Sequence, residues 1–366
     1  MLTGHEVGTV PAMSASPRND QAALPDAVRA FVVRPSGGGD GGGGTTGEDA
    51  LEVGVASLPS DDLGPGDVEV AVEWSAINYK DAMVTRPGNR VARISPLVPG
   101  VDLVGTVLNS RDPSVAVGQQ VIAHGYDLGV AHHGGFSPVA RVPAGWIVPL
   151  PPALTPRRAA IIGTAGFTAA LSLDRLERHG LTPQDGPVLV TGASGGVGSM
   201  AVALLAARGY QVTASTGRVA ERPYLTGLGA TEVIGRDDLA VAPHRTLGPE
   251  RWAGAVDCVG GATLSSVLRT LRYGAAVAAS GLTGGNSFET SVYPFIVRSA
   301  SLIGVDTVQT PIAERRRVWG QLATAFPADR LDAMVDDEVG LEALGPALER
   351  ILAGGTRGRV LVDPAG

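Results

Sequence analysis

The residues best suited to chemistry begin at Thr191-Gly192-Ala193-Ser194-Gly195-Gly196-Val197-Gly198. This turn follows a short β-branched run, Val188 to Val190, and leads into a small-residue, Leu-rich segment, Ser199 to Arg208, closed by Gly209. A second apolar run, Gln211 to Ala214, comes next. Strand, glycine turn, helix and strand in that order are what a bound dinucleotide needs. Gly195 lets the backbone approach a pyrophosphate, and Gly198 lets helix and strand pack closely. Ser194, Gly196 and Val197 complete the turn, where free N–H groups and the positive end of the helix dipole face the phosphates. The first glycine of the usual G-x-G-x-x-G is Ala193, small enough to be tolerated.

The end of the second strand bears on which dinucleotide is bound. A site for an unphosphorylated ribose places Asp or Glu about twenty residues past the glycines. Here the chain reads Ser215-Thr216-Gly217-Arg218, with no carboxylate before Glu221. Two hydroxyls and a guanidinium suit a 2′-phosphate, so NADPH is the expected cofactor. The plainer alternative is that Arg218 is a solvated loop charge.

A second group stands at Asn78-Tyr79-Lys80-Asp81, directly after the alternating run Val68 to Trp74. The Tyr79 phenol is a candidate proton or hydrogen-bond donor at the mouth of a catalytic domain; the alternative is a packed aromatic at a domain boundary. Asn78 and Asp81 flank it as candidate catalytic groups, although Asp81 also fits a helix cap. Lys80 is the only lysine of the chain, and a surface pair with Asp81 is its duller reading. His132 either orients substrate or bonds to backbone. Thr164, near the domain junction, is placed to bond a nicotinamide carboxamide.

The elements that must position these residues divide the 366-residue chain into two domains. Residues 1–27 are polar and lack periodicity, so they are expected to form a disordered tail. Many short strands separated by turns follow from Val28, interrupted by a glycine-rich loop at 37–47, and indicate a β-rich domain. Helices are expected over Thr155 to Ile162 and Thr168 to His179. From Val188 onward strands and helices alternate through Ser301 to Val305, six strands in all, the count of a doubly wound parallel sheet. Two further helices, Pro311 to Ala325 and Leu341 to Ala353, lead to Arg359-Val360-Leu361-Val362, a strand expected to return to the first domain. A net charge of −7 without a basic stripe argues against nucleic acid. No apolar run approaches a membrane span. The single cysteine, Cys258, forms no intrachain disulfide, and residues 1–27 lack a signal-peptide layout, so a cytoplasmic setting is expected.

Taken together, the chain resembles the medium-chain dehydrogenase/reductase superfamily, and within it the zinc-independent acrylyl-CoA reductase and quinone-oxidoreductase-like group. The motifs are Asn78-Tyr79-Lys80-Asp81, Pro99-Gly100-Val101-Asp102, Ile161 to Ala169, Thr191 to Ser199, Trp252 to Ala255 and Pro294-Phe295-Ile296. The resemblance implies an α/β protein with a GroES-like β-rich catalytic domain, 28–162 and 301–366, and a Rossmann NADPH-binding domain, 163–300. It implies a homodimer, and cofactor contacts at Tyr79, Arg236, Leu282, Ile296 and Thr307. For Arg236 the alternative is an ion pair with Asp237 or Asp238. The tail and the glycine-rich loop have no counterpart in the family, and His133 replaces a family Trp. Zinc members use Cys and a Gly-His-Glu segment; here that segment is Gly100-Val101-Asp102, and one cysteine cannot complete a site, so no metal is expected. Gly4-His5-Glu6 precedes the fold and reads as coincidence.

Without a Lewis acid, hydride transfer requires an acceptor already activated toward conjugate addition. The leading reading is acryloyl-CoA reduced to propanoyl-CoA, with Arg86, Arg90 and Arg93 as candidates for the CoA phosphates. An NADPH:quinone reductase is the second reading, and a non-catalytic NADPH-binding protein the third.

Overall fold

The computed structural model describes residues 24–36, 50–241 and 245–366. Most of the tail, its Gly4-His5-Glu6 and the glycine-rich loop at 37–47 lie outside them. The first half is dominated by strands: β1 (Ala27–Pro35), β2 (Leu51–Pro59), β3 (Val68–Ala76), the short α1 (Tyr79–Met83), β4 (Asp102–Ser110), β5 (Gln120–His124), β6 (Val139–Val142) and β7 (Val148–Pro149). A long helix, α2 (Pro156–Arg178), leads into β8 (Val188–Val190), α3 (Gly196–Ala207), β9 (Val212–Thr216), α4 (Arg222–Gly227), β10 (Glu232–Gly235) and β11 (Trp252–Asp257). Then come α5 (Gly261–Leu268), β12 (Leu271–Ala279), α6 (Tyr293–Arg298) and β13 (Ser301–Gly304). The chain ends with α7 (Ile312–Leu322), α8 (Ala328–Asp332), β14 (Val335–Gly340), α9 (Leu344–Leu352) and β15 (Arg359–Asp363).

Six strands pair in the order β10-β9-β8-β11-β12-β13, all parallel. The order reverses between β8 and β11, and ligands bind at the carboxyl ends of strands at such a switch point. The sheet includes Ser301–Gly304, four residues past the expected domain boundary at 300, because β13 continues the ladder on β12. The second sheet runs β14-β15-β3-β4-β5-β7, with β6 also on β3. Leu361 and Val362 pair with Ala76 and Ser75, so the last strand does return to the first half. β14 is absent from the sequence expectations: Val335-Asp336-Asp337-Glu338 is too acidic to look like a strand, yet it forms a charged sheet edge.

Instead of two separate helices around 163–167, α2 is one element kinked at Gly163 (φ 45°, ψ −156°). That backbone is open only to glycine. The helix resumes at once because Thr164 N–H, a fresh helix N-terminal donor, finds the Asp102 carboxylate at 2.8 Å. Both halves of α2 bury their apolar faces, and its Phe167, Leu171 and Leu173 join one core with Val190, Met200 and Val256. The helix thus ties the two sheets through hydrophobic packing.

A Cβ added at Gly163 would lie 2.6 Å from Asp102 Oδ2 and 2.9 Å from Arg359 Nη2. Gly163→Ala is expected to lower stability by roughly 2–4 kcal/mol through backbone strain and overpacking. Denaturant unfolding measures it; an unchanged midpoint would refute the requirement for glycine at the kink.

Candidate active site

The glycine turn sits at the switch point. Thr191, just past β8, donates its hydroxyl to Asp257 Oδ1 of β11 at 2.6 Å, bridging the two strands where the order reverses. A Cβ on Gly198 would meet Gly192 O at 2.3 Å and Ala193 Cα at 2.7 Å, so helix and turn touch there. A Cβ on Gly195 would meet only Gly192 O, at 3.4 Å, which leaves its outer side clear for a ligand. Among the described residues, nothing accepts from the N–H groups of Gly196, Val197 and Gly198; the first helical bond is Ser199 N to Gly195 O. Three orphan donors at a helix N-terminus form a ready anion site.

The end of β9 gathers the polar groups expected there. Ser194 Oγ lies 3.0 Å from Thr216 Oγ1. Arg218 Nη2 donates to Ser194 Oγ at 3.0 Å and to Thr356 O at 2.7 Å. Ser215 is buried in the strand, its carbonyl accepting from Ala193 N. Arg236, exposed after β10, lays its guanidinium against Gly217: a Cβ there would be 2.7 Å from Nη2. It pairs with neither Asp237 nor Asp238; Asp238 caps Gly235 N instead. Two guanidinium groups therefore flank Gly217, and their hydrogen-bond partners include no carboxylate. That chemistry fits a doubly charged phosphate.

At the second group, geometry separates the residues. Asn78 caps α1, and its side chain donates to Asp102 Oδ2 at 2.7 Å while its Oδ1 accepts from Arg359 at 3.2 Å. Asp81 is fully buried and accepts from the N–H groups of Asn78, Gly100 and Val101. Burial pushes its carboxyl up to about 7, with those backbone donors pulling the other way. Both expected catalytic polar side chains are thus consumed by structure: Asn78 and Asp81 position the segment. Asp81 is also sealed away from Lys80, so the two form no ion pair. Tyr79 begins α1 half-buried, and among the described residues its hydroxyl has no hydrogen-bond partner. Of the three, only the phenol is free to act on a ligand.

Asp102 is the centre of this region. Its Oδ1 accepts from Thr164 N at 2.8 Å and Thr164 Oγ1 at 2.6 Å. Its Oδ2 accepts from Asn78, and Arg359 Nη2 lies 3.3 Å away. Arg359 is itself buried and donates to the carbonyls of Ile161 and Ile77. Neither residue was singled out as a partner of the other, since 257 positions separate them. The Thr164 hydroxyl donates to Asp102, which leaves its oxygen to act toward a carboxamide only as an acceptor.

Leu282 and Ile296, expected to meet the cofactor, are 49% and 71% exposed and so open to a ligand. Arg86 pairs with Glu349 and Arg93 with Asp127, which leaves Arg90 as the exposed arginine of the three without a protein partner among the described residues. His132 is buried with both ring nitrogens against carbonyls, those of His133 (2.8 Å) and Pro65 (2.7 Å), and so braces a loop. Thr307 lies in the loop after β13, next to the cleft formed by Ala279, Ser280, Gly281, Gly304, Val305 and Asp306.

A β-rich domain returning its last strand beside a doubly wound sheet, with an anion-binding glycine turn at the switch point, defines a two-domain dinucleotide oxidoreductase. Residues 64–152 match the alcohol dehydrogenase GroES-like domain and residues 196–324 the zinc-binding dehydrogenase family. The chain is 48% identical over 309 residues to the acrylyl-CoA reductase AcuI of Ruegeria pomeroyi, covering 84% of this chain and 93% of that one. It is 47% identical over 314 residues to YhfP of Bacillus subtilis, named as a quinone oxidoreductase, covering 86% and 95%. The yhdH oxidoreductase from Salmonella enterica, crystallised with NADP, superposes with a TM-score of 0.85 at 41% identity, covering 92% and 99%. The crystal structure of the Bacillus protein, with NAD bound, gives 0.86 at 44% identity, with the same coverage. The chain belongs to the medium-chain dehydrogenase/reductase superfamily.

The zinc in one family's name does not fit these residues. Asp102 is committed to a buried guanidinium, and a divalent ion there would face that cation at close range. Among the described residues no cluster of three or more His, Cys, Asp or Glu is arranged to hold a metal. Asp102→Asn, which strands the Arg359 charge, is expected to cost about 3–5 kcal/mol of stability. Chemical denaturation checks this; a loss below about 1 kcal/mol would mean the pair contributes little.

Proposed function

We propose that this protein is an NADPH-dependent reductase of an activated carbon–carbon double bond, with acryloyl-CoA, reduced to propanoyl-CoA, as the leading acceptor. The observation that carries this reading is Asp102. Its carboxylate is fully engaged by Arg359, Asn78 and Thr164, so the described residues offer no ligand set for a Lewis acid, which favours an acceptor polarised by its own conjugation. The acrylyl-CoA reductase relative supports the thioester as acceptor. The second reading, a quinone acceptor, is favoured by the name of the Bacillus relative.

When bound, the reduced dinucleotide supplies a hydride for the β-carbon of the acceptor. The chain's residues do the rest. The orphan N–H groups of Gly196, Val197 and Gly198 would hold the pyrophosphate. Ser194, Thr216, Arg218 and Arg236 would hold the 2′-phosphate. Tyr79, anchored by the Asn78–Asp81 capping box, turns its unpartnered phenol to the acceptor and donates the hydrogen bond or proton that the α-carbon side requires. Arg90 meets an acceptor phosphate.

The free edge of β13 carries exposed Leu302, and Val292, Tyr293, Ile296 and Val297 stand nearby. An unpaired apolar edge of this kind supports a homodimer built across it. No helix among the described residues is long and apolar enough to cross a membrane. A single cysteine, with no partner for an intrachain disulfide, fits a cytoplasmic setting.

NADPH oxidation should proceed with acryloyl-CoA, and Tyr79→Phe should slow it by about 10²-fold, the lower end for general acid catalysis. Turnover of a simple quinone with no turnover of the thioester would select the second reading. Arg218→Ala should weaken NADPH by about ten-fold or more while leaving NADH nearly unchanged. Equal loss for both cofactors would remove the 2′-phosphate assignment.

A further inference from the structure

Arg315, on α7, is completely buried, yet none of its hydrogen-bond partners is a carboxylate. Its Nη2 donates to the carbonyls of Thr307 (3.1 Å), Val308 (3.4 Å) and Thr310 (3.4 Å). Its guanidinium lies over the ring of Tyr126, 4.5 Å from the centroid, with Phe167 at 5.3 Å. Nη1 approaches His124 Nδ1 at 2.9 Å, and Trp319 Nε1 donates to His124 Nε2 at 2.8 Å. Both are obligate donors, and a neutral imidazole carries its lone pair on only one ring nitrogen, so His124 accepts from one of the two while the other is a close contact, and protonation would leave it accepting from neither. Burial and the Arg315 charge keep His124 neutral. Burying a cation without a counter-ion is costly, and carbonyl dipoles and aromatic faces offset that cost only in this arrangement.

What Arg315 holds is the loop after β13. Three of its carbonyls turn to the guanidinium, and Tyr126 N donates to Val308 O at 2.8 Å, binding the loop to the end of β5 in the other sheet. Asp306 gathers the N–H groups of Val308 and Gln309, at 2.8 and 3.0 Å. The Asp306 carbonyl is turned inward to accept from Thr310 Oγ1 at 2.8 Å. In a trans peptide the next N–H, that of Thr307, points the opposite way. Among the described residues, Thr307 N–H and its hydroxyl have no partner, and the loop borders the cleft at the ends of β12 and β13.

We propose that Arg315 is a positioning residue for the cofactor: it draws the carbonyls of the 306–310 loop away from the cleft and so presents the Thr307 N–H and hydroxyl to the nicotinamide end. This rests on the NADPH reading above. The charge itself never touches ligand; it acts through the loop.

The test separates the two ends of the cofactor. Binding of 2′,5′-ADP, which has the adenosine phosphates but no nicotinamide, is measured beside binding of NADPH in wild type, Arg315→Met and Arg315→Lys. The expected result is 2′,5′-ADP affinity within about two-fold of wild type and NADPH affinity lower by roughly ten-fold or more, with Lys less affected than Met. Asp306→Ala loosens the same loop from an exposed position and should reproduce the pattern even if the Arg315 variants fail to fold. Equal loss of both probes, or of neither, in the folded variants would overturn the proposal. Wild type that binds neither probe would instead overturn the cofactor reading on which it rests.

Discussion

The buried pair between Asp102 and Arg359 is the constraint on which the two halves of this molecule depend. The carboxylate opens β4, the guanidinium opens β15, and between them they hold Asn78 at the start of α1 and Thr164 at the kink of α2. Each charge would be expensive alone in that interior. Together they satisfy one another, and the surplus hydrogen-bonding capacity of each goes to backbone groups that would otherwise be orphans: the N–H of a restarted helix and the carbonyls of Ile77 and Ile161. A side chain at Gly163 would intrude on both partners. The kink, the ion pair and the capped Asn78–Asp81 segment are therefore one arrangement.

This arrangement decides which groups are left for ligands. Asn78, Asp81 and Thr164 have chemistry-bearing side chains, yet all three are turned inward to build the frame. The Tyr79 phenol, the helix N-terminal N–H groups and the guanidinium pair at Gly217 are left over, and they lie where a dinucleotide and its acceptor would need donors. Beside this arrangement, reached from Asp102 through Thr164 and His124, Arg315 repeats the theme with a buried cation held by carbonyls, bracing the loop after β13 against β5.

Local patterns made much of this legible. The β-branched run, the glycine turn and the following helix declare the dinucleotide site because backbone conformation and close approach there depend on residue type at neighbouring positions. The six parallel strands could be counted for the same reason: buried strands are short apolar runs. The missing carboxylate after β9, and the hydroxyls and arginine in its place, were visible as composition at one strand end.

Pairings across long sequence separation were not legible. Nothing local to Asp102 announces Arg359, nor does Arg315 announce His124, because ion pairs and buried polar networks are settled by which elements the chain packs together. The same reason left roles open. Asp81 and His132 have side chains that equally suit chemistry or capping and bracing, and only their surroundings select the second for both. β14 looked unlike a strand because its acidic residues are tolerated at a sheet edge and supported by pairing to β15, a tertiary circumstance. Residue type and near-neighbour spacing settled the fold class and the phosphate-binding turn; burial and long-range contact settled which polar groups remain free to act.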